Sequence, residues 1–544
     1  MRHGTAGDAS PHAMSGRPLP RGTVATTFLA VATLTLGACA GGTPPAAATT
    51  TGTSTGSANG LANVGTTTGS ANAGTTSGTL ANRVTSLGAP SGRSAPASRT
   101  RGPVAGAPAP KLPVAQLRQG YSTPVEDPYY PATSNPEVDS LHYGLDLDWD
   151  GRTLRGTTQL TFRATVATSR VRLGLIRTLA TMAVTLDGRP VPSKRVGDDI
   201  VIGTGPLAKH SQHVLVIRYK GLPRSVPAPS SRPDTTEGLG WNRDKAGNVY
   251  TFQEPYGAHT WYAVNDHPSD KARYDATIRV PRGRVGVFNG TLTKTEVLRG
   301  KTVTRWHLDR PAASYLTTIA IGRYKHSAVK MPDGKPFNIW LMPQHEPMRA
   351  AIAKEALRSY TWLLKKAGPY PFATSGIVVV DGDSAMETQT LITAADSVLQ
   401  SELNGVVLHE LAHQWYGDSV GPIDWLAVWL NEGWATRMQF DYEDPRGVMY
   451  DVRTLDSMCS WSRVIAGPAG RFDRRQFADD NVYVCSAGML TELRNKVGVA
   501  RFDAIAKAWP AQHRDRTVNR ATFLKWLNEQ TGSDHSGLLR RWLD

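Results

Sequence analysis

His409-Glu410-Leu411-Ala412-His413, followed after eighteen residues by Glu432 within Trp429-Leu430-Asn431-Glu432-Gly433-Trp434, decides the reading of this 544-residue chain. On a helix, residues four apart share one face, so His409 and His413 aim their imidazoles at one point, with Glu410 beside them. A carboxylate in that position is placed to activate water on a metal ion. Glu432 adds a third protein ligand and leaves a fourth position open, which is the arrangement of a catalytic zinc site. The flanks agree. Val406, Val407, Leu408, Leu411, Ala412 and Trp415 give the first helix a buried face, and Gly417 is placed to stop it. The apolar run from Trp425 to Leu430 leads Glu432 into a second buried element. One Zn2+ per chain is expected, held by His409, His413 and Glu432, with Glu410 as general base.

The segments HELAHQWYGD (409–418) and WLNEGWAT (429–436) resemble the aminopeptidase N family of gluzincin zinc metallopeptidases. Three more matches fall in the family's order. Ser384-Ala385-Met386-Glu387-Thr388 resembles the family's G-[AG]-M-E-N exopeptidase loop, which implies that Glu387 grips the substrate α-amine while Ala385 and Met386 line the substrate. A carboxylate fixed near the metal lets only chains with a cationic N-terminus present their first peptide bond. Ser384 and Thr388 depart from the pattern and alter the backbone surroundings of that carboxylate. Phe252-Gln253-Glu254-Pro255-Tyr256-Gly257-Ala258 is similar to the segment that completes the amine pocket. There Glu254 falls at the family's Gln or Glu contact position, and Gln253 and Tyr256 are further candidates. The following Asp266-His267-Pro268-Ser269-Asp270 reads as a rigid turn, not a ligand set. Finally, Asn481-Val482-Tyr483 resembles the start of a family helix and implies a catalytic Tyr483, whose phenol donates to the oxyanion. The family's Lys or Arg followed by Gly is replaced by Cys485-Ser486, with the expectation that the turn positioning the ring is reshaped. Asp418 is a candidate acceptor for a metal-bound imidazole.

The resemblance implies a zinc aminopeptidase acting on peptides with a free N-terminus. A thermolysin-like endopeptidase would use the same metal chemistry but would have no use for Glu387 and Glu254. A catalytically idle peptide-binding lipoprotein is opposed by the intact set of His409, Glu410, His413, Glu432 and Tyr483.

Around this centre the chain divides by composition. Arg17 and Arg21 precede a weakly apolar stretch from Val24 to Ala38, read as a signal peptide over 1–38. Leu36-Gly37-Ala38-Cys39 resembles a bacterial lipobox, so Cys39 is the expected lipidation site and membrane anchor, on the outer face of the cell membrane; plain secretion is the alternative. Translation from Met14 would give a shorter signal. Residues 39–135, rich in Ala, Gly, Thr, Ser and Pro, bury too little to offset chain entropy and read as a disordered tether. Alternating patterns at His142–Asp148, Thr158–Phe162, His213–Ile217 and Thr277–Val280 predict a β domain over 136–325. Helical spacing over Ile352–Lys366, a buried strand at Gly376–Val380 and helices after 395 predict a catalytic domain over 326–544. The fold class is α+β. The resemblance implies an antiparallel, saddle-like β domain followed by a thermolysin-like, mainly helical catalytic domain. A short helical ending such as Arg520–Glu529 is expected in place of the family's large C-terminal helical domain. The formal charge of +15 is dispersed and no nucleic-acid module stands out. Export would allow Cys459 and Cys485 to form a disulfide, and two free buried thiols fit the sequence almost as well.

Overall fold

A computed structural model describes residues 122–544. The expected signal segment, Cys39 and most of the tether lie outside the described residues. Strands form where apolar residues alternate: in Val138–Trp149, Tyr143, Leu145, Leu147 and Trp149 face the core while Asp146 faces out. This strand sits inside an eight-stranded sheet ordered Thr291–Leu298, Lys301–Ala312, Ala272–Pro281, Val138–Trp149, Leu154–Ala164, Gln212–Gly221, Leu179–Leu186, Arg189–Pro190. The sheet is antiparallel except at one seam. Val138–Trp149 and Ala272–Pro281 run parallel, with His142 opposite Arg273, which corrects the expectation of a wholly antiparallel sheet. Parallel neighbours need a long crossover, and residues 150–271 supply it. A four-stranded sheet that includes Gly240–Arg243 and Val249–Phe252 ends the β-rich part at Gly322.

Residues 122–135 are not part of a tether. Asp127 is fully buried, accepting from the backbone N–H groups of Tyr129, Tyr130 and Trp425. Tyr129 and Tyr130 donate to the carbonyls of Phe472 and Arg474 at 2.7 and 2.6 Å. Composition averaged over the long polar segment hid these three anchors.

The second half is built on a five-stranded sheet ordered Lys325–Lys330, Pro336–Leu341, Ser375–Val380, Ile392–Ala395, Ala385–Met386. Packed with it are α1 (Arg349–Lys366), α2 (Asp396–His413), α3 (Val428–Glu443), α4 (Val452–Ala466), α5 (Asp480–Val497), α6 (Val499–Gln512), α7 (Arg520–Thr531) and α8 (Ser536–Leu543). Helix α2 kinks at Glu402 and is buried on every side from Gly405 to His413; α3 is buried from Val428 to Phe440. These two helices are therefore the centre of the domain, where polar side chains are largely shielded from bulk solvent. Helix α5 crosses α3 so closely that a Cβ at Gly433 would lie 2.5 Å from the Ser486 Cβ. The pair Gly433 and Ser486 thus sets how near the Glu432 helix comes to the Tyr483 helix. Cys485 is bonded to Cys459, which ties α5 to α4. Positions 485 and 486 lie inside α5, so the expected reshaped turn does not exist there. No helix among the described residues is long and apolar enough to cross a membrane.

Candidate metal centre and substrate pocket

His409 and His413 project from one face of α2, and Glu432 meets them from α3. The two Nε2 atoms are 3.0 Å apart, and each lies 3.4 Å from Glu432 Oε2, all three side chains being buried. Donors about 2.0–2.1 Å from a tetrahedral ion sit roughly 3.3–3.4 Å from one another, so this set fits zinc. The remaining imidazole nitrogens are held from behind. His409 Nδ1 faces Gln439 Oε1 at 3.2 Å, and Gln439 donates onward to Glu443 at 3.0 Å. His413 Nδ1 faces the Tyr416 carbonyl at 3.1 Å. Both contacts favour Nδ1–H and leave Nε2 for the metal. Asp418, the acceptor considered from sequence, fills neither role. Its backbone carbonyl accepts from Lys271 Nζ at 2.8 Å, and the turn geometry hands His413 to Tyr416. Gly417 takes φ +145° in that turn, where a Cβ would press 3.1 Å from His413 Nδ1.

Burial alone would raise Glu432, but the charge of His413 and hydrogen bonds from both imidazoles hold it down to about 2. His413 moves well above its usual value: burial opposes this, and the carboxylates of Glu432 and Glu387 outweigh it. A proton there does what a cation at the three donors would do.

Beside the donors, one pocket gathers Glu410, Glu387, Glu254, Tyr483, Ala385 and Met386. Oxygens of Glu254, Glu387 and Glu432 lie within 4.8 Å of one another. Glu254 Oε1, Glu387 Oε1 and Glu410 Oε2 are buried without a hydrogen-bond partner. Burial, then the charges of Glu387 and Glu432, pushes Glu254 well above the carboxylate range. Burial also raises Glu387, against the charge of His413. Glu410 is raised well above the range by burial, with Glu387 and Glu432 adding to it and His413 opposing. Such a concentration of unsatisfied acceptors calls for cationic guests.

The loop around Glu387 is tied down by groups that spacing alone did not reveal. Gln414, just past α2, donates to the Glu387 carbonyl at 3.0 Å and accepts from Thr390 N–H at 2.8 Å. Thr388 turns inward, bonding the Leu391 carbonyl and Thr393 Oγ1, so this departure from the family pattern leaves the Glu387 carboxylate in the pocket. Gln253 is corrected. Its amide donates to Ser314 and Thr317 and accepts from Trp261 Nε1, at full burial, so no part of the side chain remains for a substrate. Tyr256 packs edge-on against Tyr130 at 5.3 Å. His267 bonds Ser269 Oγ at 2.7 Å and lies 3.5 Å from Asp127, in keeping with a structural turn.

Tyr483 stands on the first turn of α5, capped by Asp479, with its ring 6.0 Å from that of His409. Arg232, from the β-rich half, donates to the Tyr483 hydroxyl at 3.0 Å. Its other nitrogens grip Asp234 at 3.0 and 2.8 Å, and the guanidinium lies 5.5 Å from the Tyr483 ring centre. Burial raises Tyr483 well above its usual value, with Arg232 opposing, so the phenol keeps its proton. Nothing in the local sequence of Arg232 marks it, because its partner is 251 residues away.

Residues 352–542 match the peptidase family M1 domain. Over those residues the chain is similar to that family, in keeping with the aminopeptidase N group of gluzincins. An M1 zinc metallopeptidase from Deinococcus radiodurans aligns with a TM-score of 0.67 at 25% identity, covering 77% of this chain and 97% of its own. Tricorn protease-interacting factor F2 of Thermoplasma acidophilum is 26% identical over 332 residues, 58% of this chain and 40% of its own. Glutamyl aminopeptidase of Sus scrofa is 22% identical over 453 residues, 74% of this chain and 47% of its own. The chain thus spans less than half the length of these two relatives. The M1 family implies a catalytic zinc ion, and His409, His413 and Glu432 are the donors that fit it.

Proposed function

We propose that this chain is a zinc-dependent aminopeptidase of the M1 family that removes N-terminal residues from peptides. The observation that carries the reading is the pair Glu387 and Glu254, each with a buried carboxylate oxygen that has no hydrogen-bond partner, close to the metal donor Glu432. An endopeptidase site would have to desolvate both carboxylates against neutral peptide. A free α-ammonium instead gives each a charge-assisted hydrogen bond and fixes the first peptide bond over the metal.

Zinc held by His409, His413 and Glu432 supplies Lewis-acid chemistry, polarising a carbonyl and acidifying water. Glu410 takes the proton of the attacking water at its unpartnered Oε2 and returns it to the leaving amine. Burial, with the charges of Glu387 and Glu432 adding to it, raises its proton affinity. Tyr483 donates its O–H to the oxyanion, whose charge exists only near the transition state. Arg232 holds that hydroxyl and leaves Tyr483 one proton to give. Ala385 and Met386 form a short strand at the sheet edge, paired with Thr393 and Ala394, and line the substrate backbone.

The test compares free and N-acetylated versions of the same short peptides, with and without a chelator. Cleavage of the free forms alone, lost on chelation, is expected; equal cleavage of both forms returns the site to an endopeptidase.

We further propose that the chain is exported and anchored by a lipid on Cys39, with 1–38 as the signal segment. The lipobox-like sequence supports this, and so does the Cys459–Cys485 disulfide, a bond that persists outside reducing compartments. Metabolic labelling with a fatty-acid probe should mark the wild type and miss Cys39→Ser; equal labelling of both rules out this anchor.

A further inference from the structure

A second cluster of metal-ligating side chains lies where the β-rich half meets the catalytic half. His345 Nε2 is 2.8 Å from Asp381 Oδ1 and 3.7 Å from Asp396 Oδ2, and one ligand atom from each of the three lies within 4.8 Å of the others. Asp244, from the turn after Gly240–Arg243, brings a fourth group, its carboxylate within hydrogen-bond reach of that of Asp381. Two carboxylates in contact need a proton or a cation between them. Among the described residues no lysine or arginine forms an ion pair with these carboxylates. Gln344 and Gln400 donate neutral amide hydrogens to Asp381 and Asp396 at 3.2 and 3.3 Å, and Asn248 donates to Asp244. Two carboxylates therefore face one imidazole, and a third lies against Asp381.

A separate observation points the same way. The Tyr324 hydroxyl is buried, its side chain only 6% exposed, and has no hydrogen-bond partner. Burial first, and then the charges of Asp381 and Asp244, raise its proton affinity. A phenol left unsatisfied beside two carboxylates marks a position where a further polar guest is missing. The donor spacings of 2.8 and 3.7 Å bracket the roughly 3.0–3.4 Å expected around an ion with bonds of about 2.1 Å. Asp381 and Asp396 are about one-third and one-quarter exposed, so water can complete the coordination shell.

We propose that His345, Asp381 and Asp396, with Asp244 against Asp381, form a second divalent-cation site, distinct from the catalytic centre, that takes a borderline transition ion such as Zn2+ or Mn2+. The imidazole decides the class, since Ca2+ and Mg2+ favour all-oxygen shells. The site's place in the chain gives it a role. Asp381 opens the loop that ends at Glu387, Asp396 is the first residue of α2, which carries His409 and His413, and Asp244 belongs to the other half. One ion ties the amine-binding loop, the metal-binding helix and the β-rich half together.

The experiment measures bound metal per chain after equilibrium dialysis of the full protein against micromolar Zn2+, and separately Mn2+, with excess Mg2+ and Ca2+ present. Two equivalents are expected in the wild type. Paired substitution of His409→Ala with His413→Ala should leave one, and His345→Ala with Asp381→Asn should also leave one while retaining aminopeptidase turnover. Deuterium uptake across 381–387 should slow when the second equivalent binds. A wild type that binds a single equivalent, or a second equivalent that survives His345→Ala with Asp381→Asn, overturns the proposal. So does displacement of the second ion by Ca2+ or Mg2+. Circular dichroism on each variant excludes loss of fold as the cause of a lost equivalent.

Discussion

Removing the Arg232 guanidinium isolates the contribution of Tyr483 to the transition state. Arg232 donates to the Tyr483 hydroxyl at 3.0 Å and forms a two-pronged pair with Asp234, whose side chain is 1% exposed. Arg232→Met therefore does two things. It releases the phenol from a charged donor, a hydrogen bond of about 1.5–3 kcal/mol, or roughly 10- to 150-fold in rate. It also strands the Asp234 carboxylate, which costs about 3–5 kcal/mol of stability when a buried pair is broken. The second effect is separated by pairing Arg232→Met with Asp234→Asn, which removes the orphaned charge. In that double variant kcat should fall about 10- to 150-fold with KM little changed, because the oxyanion contact is made only in the transition state. Arg232→Lys should recover part of the loss, keeping the charge without the fork. The assay is steady-state kinetics on a free-amine aminoacyl substrate, with bound zinc and melting temperature measured alongside. A double variant with intact zinc and fold whose kcat matches the wild type would refute the argument that Arg232 holds Tyr483 in position.

Other outcomes follow from the same geometry. Glu410→Gln should keep the wild-type metal content and lose at least 100-fold in kcat, as expected for removal of a general base; metal analysis and kinetics on one sample decide it. Gly433→Ala drives a Cβ to 2.5 Å from Ser486 and should cost about 1–3 kcal/mol in denaturant unfolding while weakening zinc retention, since Glu432 is the adjacent residue. Cys459→Ser with Cys485→Ser opens a loop with a sequence separation of 26 and should lower stability by about 3 kcal/mol on chain entropy, measurable as a lower denaturation midpoint. Glu402, at the kink of α2, is raised to about 7 by burial and then by the charge of Glu443. Its folded value lies above the unfolded one, so its stabilisation is complete below about pH 4.5 and is lost as pH rises through 7. After discounting for partial exposure the loss is about 1 kcal/mol between pH 6 and 8.5, and Glu402→Gln should flatten that part of a melting-temperature profile.

The residues that touch the metal were legible in the sequence because their relation is local. Helical periodicity alone puts His409, Glu410 and His413 on one face, and the buried run before Glu432 brings the third ligand into the same core. Alternation likewise located the strands around His142–Asp148 and Gln212–Gly221, since the pleat fixes which side chains face inward. Where pattern was averaged over long polar stretches it failed, as with Asp127, Tyr129 and Tyr130. Gln253 shows a different failure: a polar residue adjacent to Glu254 looked available, but strand direction sent its amide into Ser314, Thr317 and Trp261.

The sequence by itself thus determined the donor set, the base and the two mainly local architectures, because each is written in spacings of a few residues. Tertiary structure decided everything that depends on chain segments meeting. Arg232 reaches Tyr483 across 251 residues, Gln414 braces the Glu387 loop, and the parallel seam between Val138–Trp149 and Ala272–Pro281 sets which halves come together. The cluster of His345, Asp381, Asp396 and Asp244 belongs to the same class. Its four residues share no motif, and only packing brings their charges close enough to require a partner.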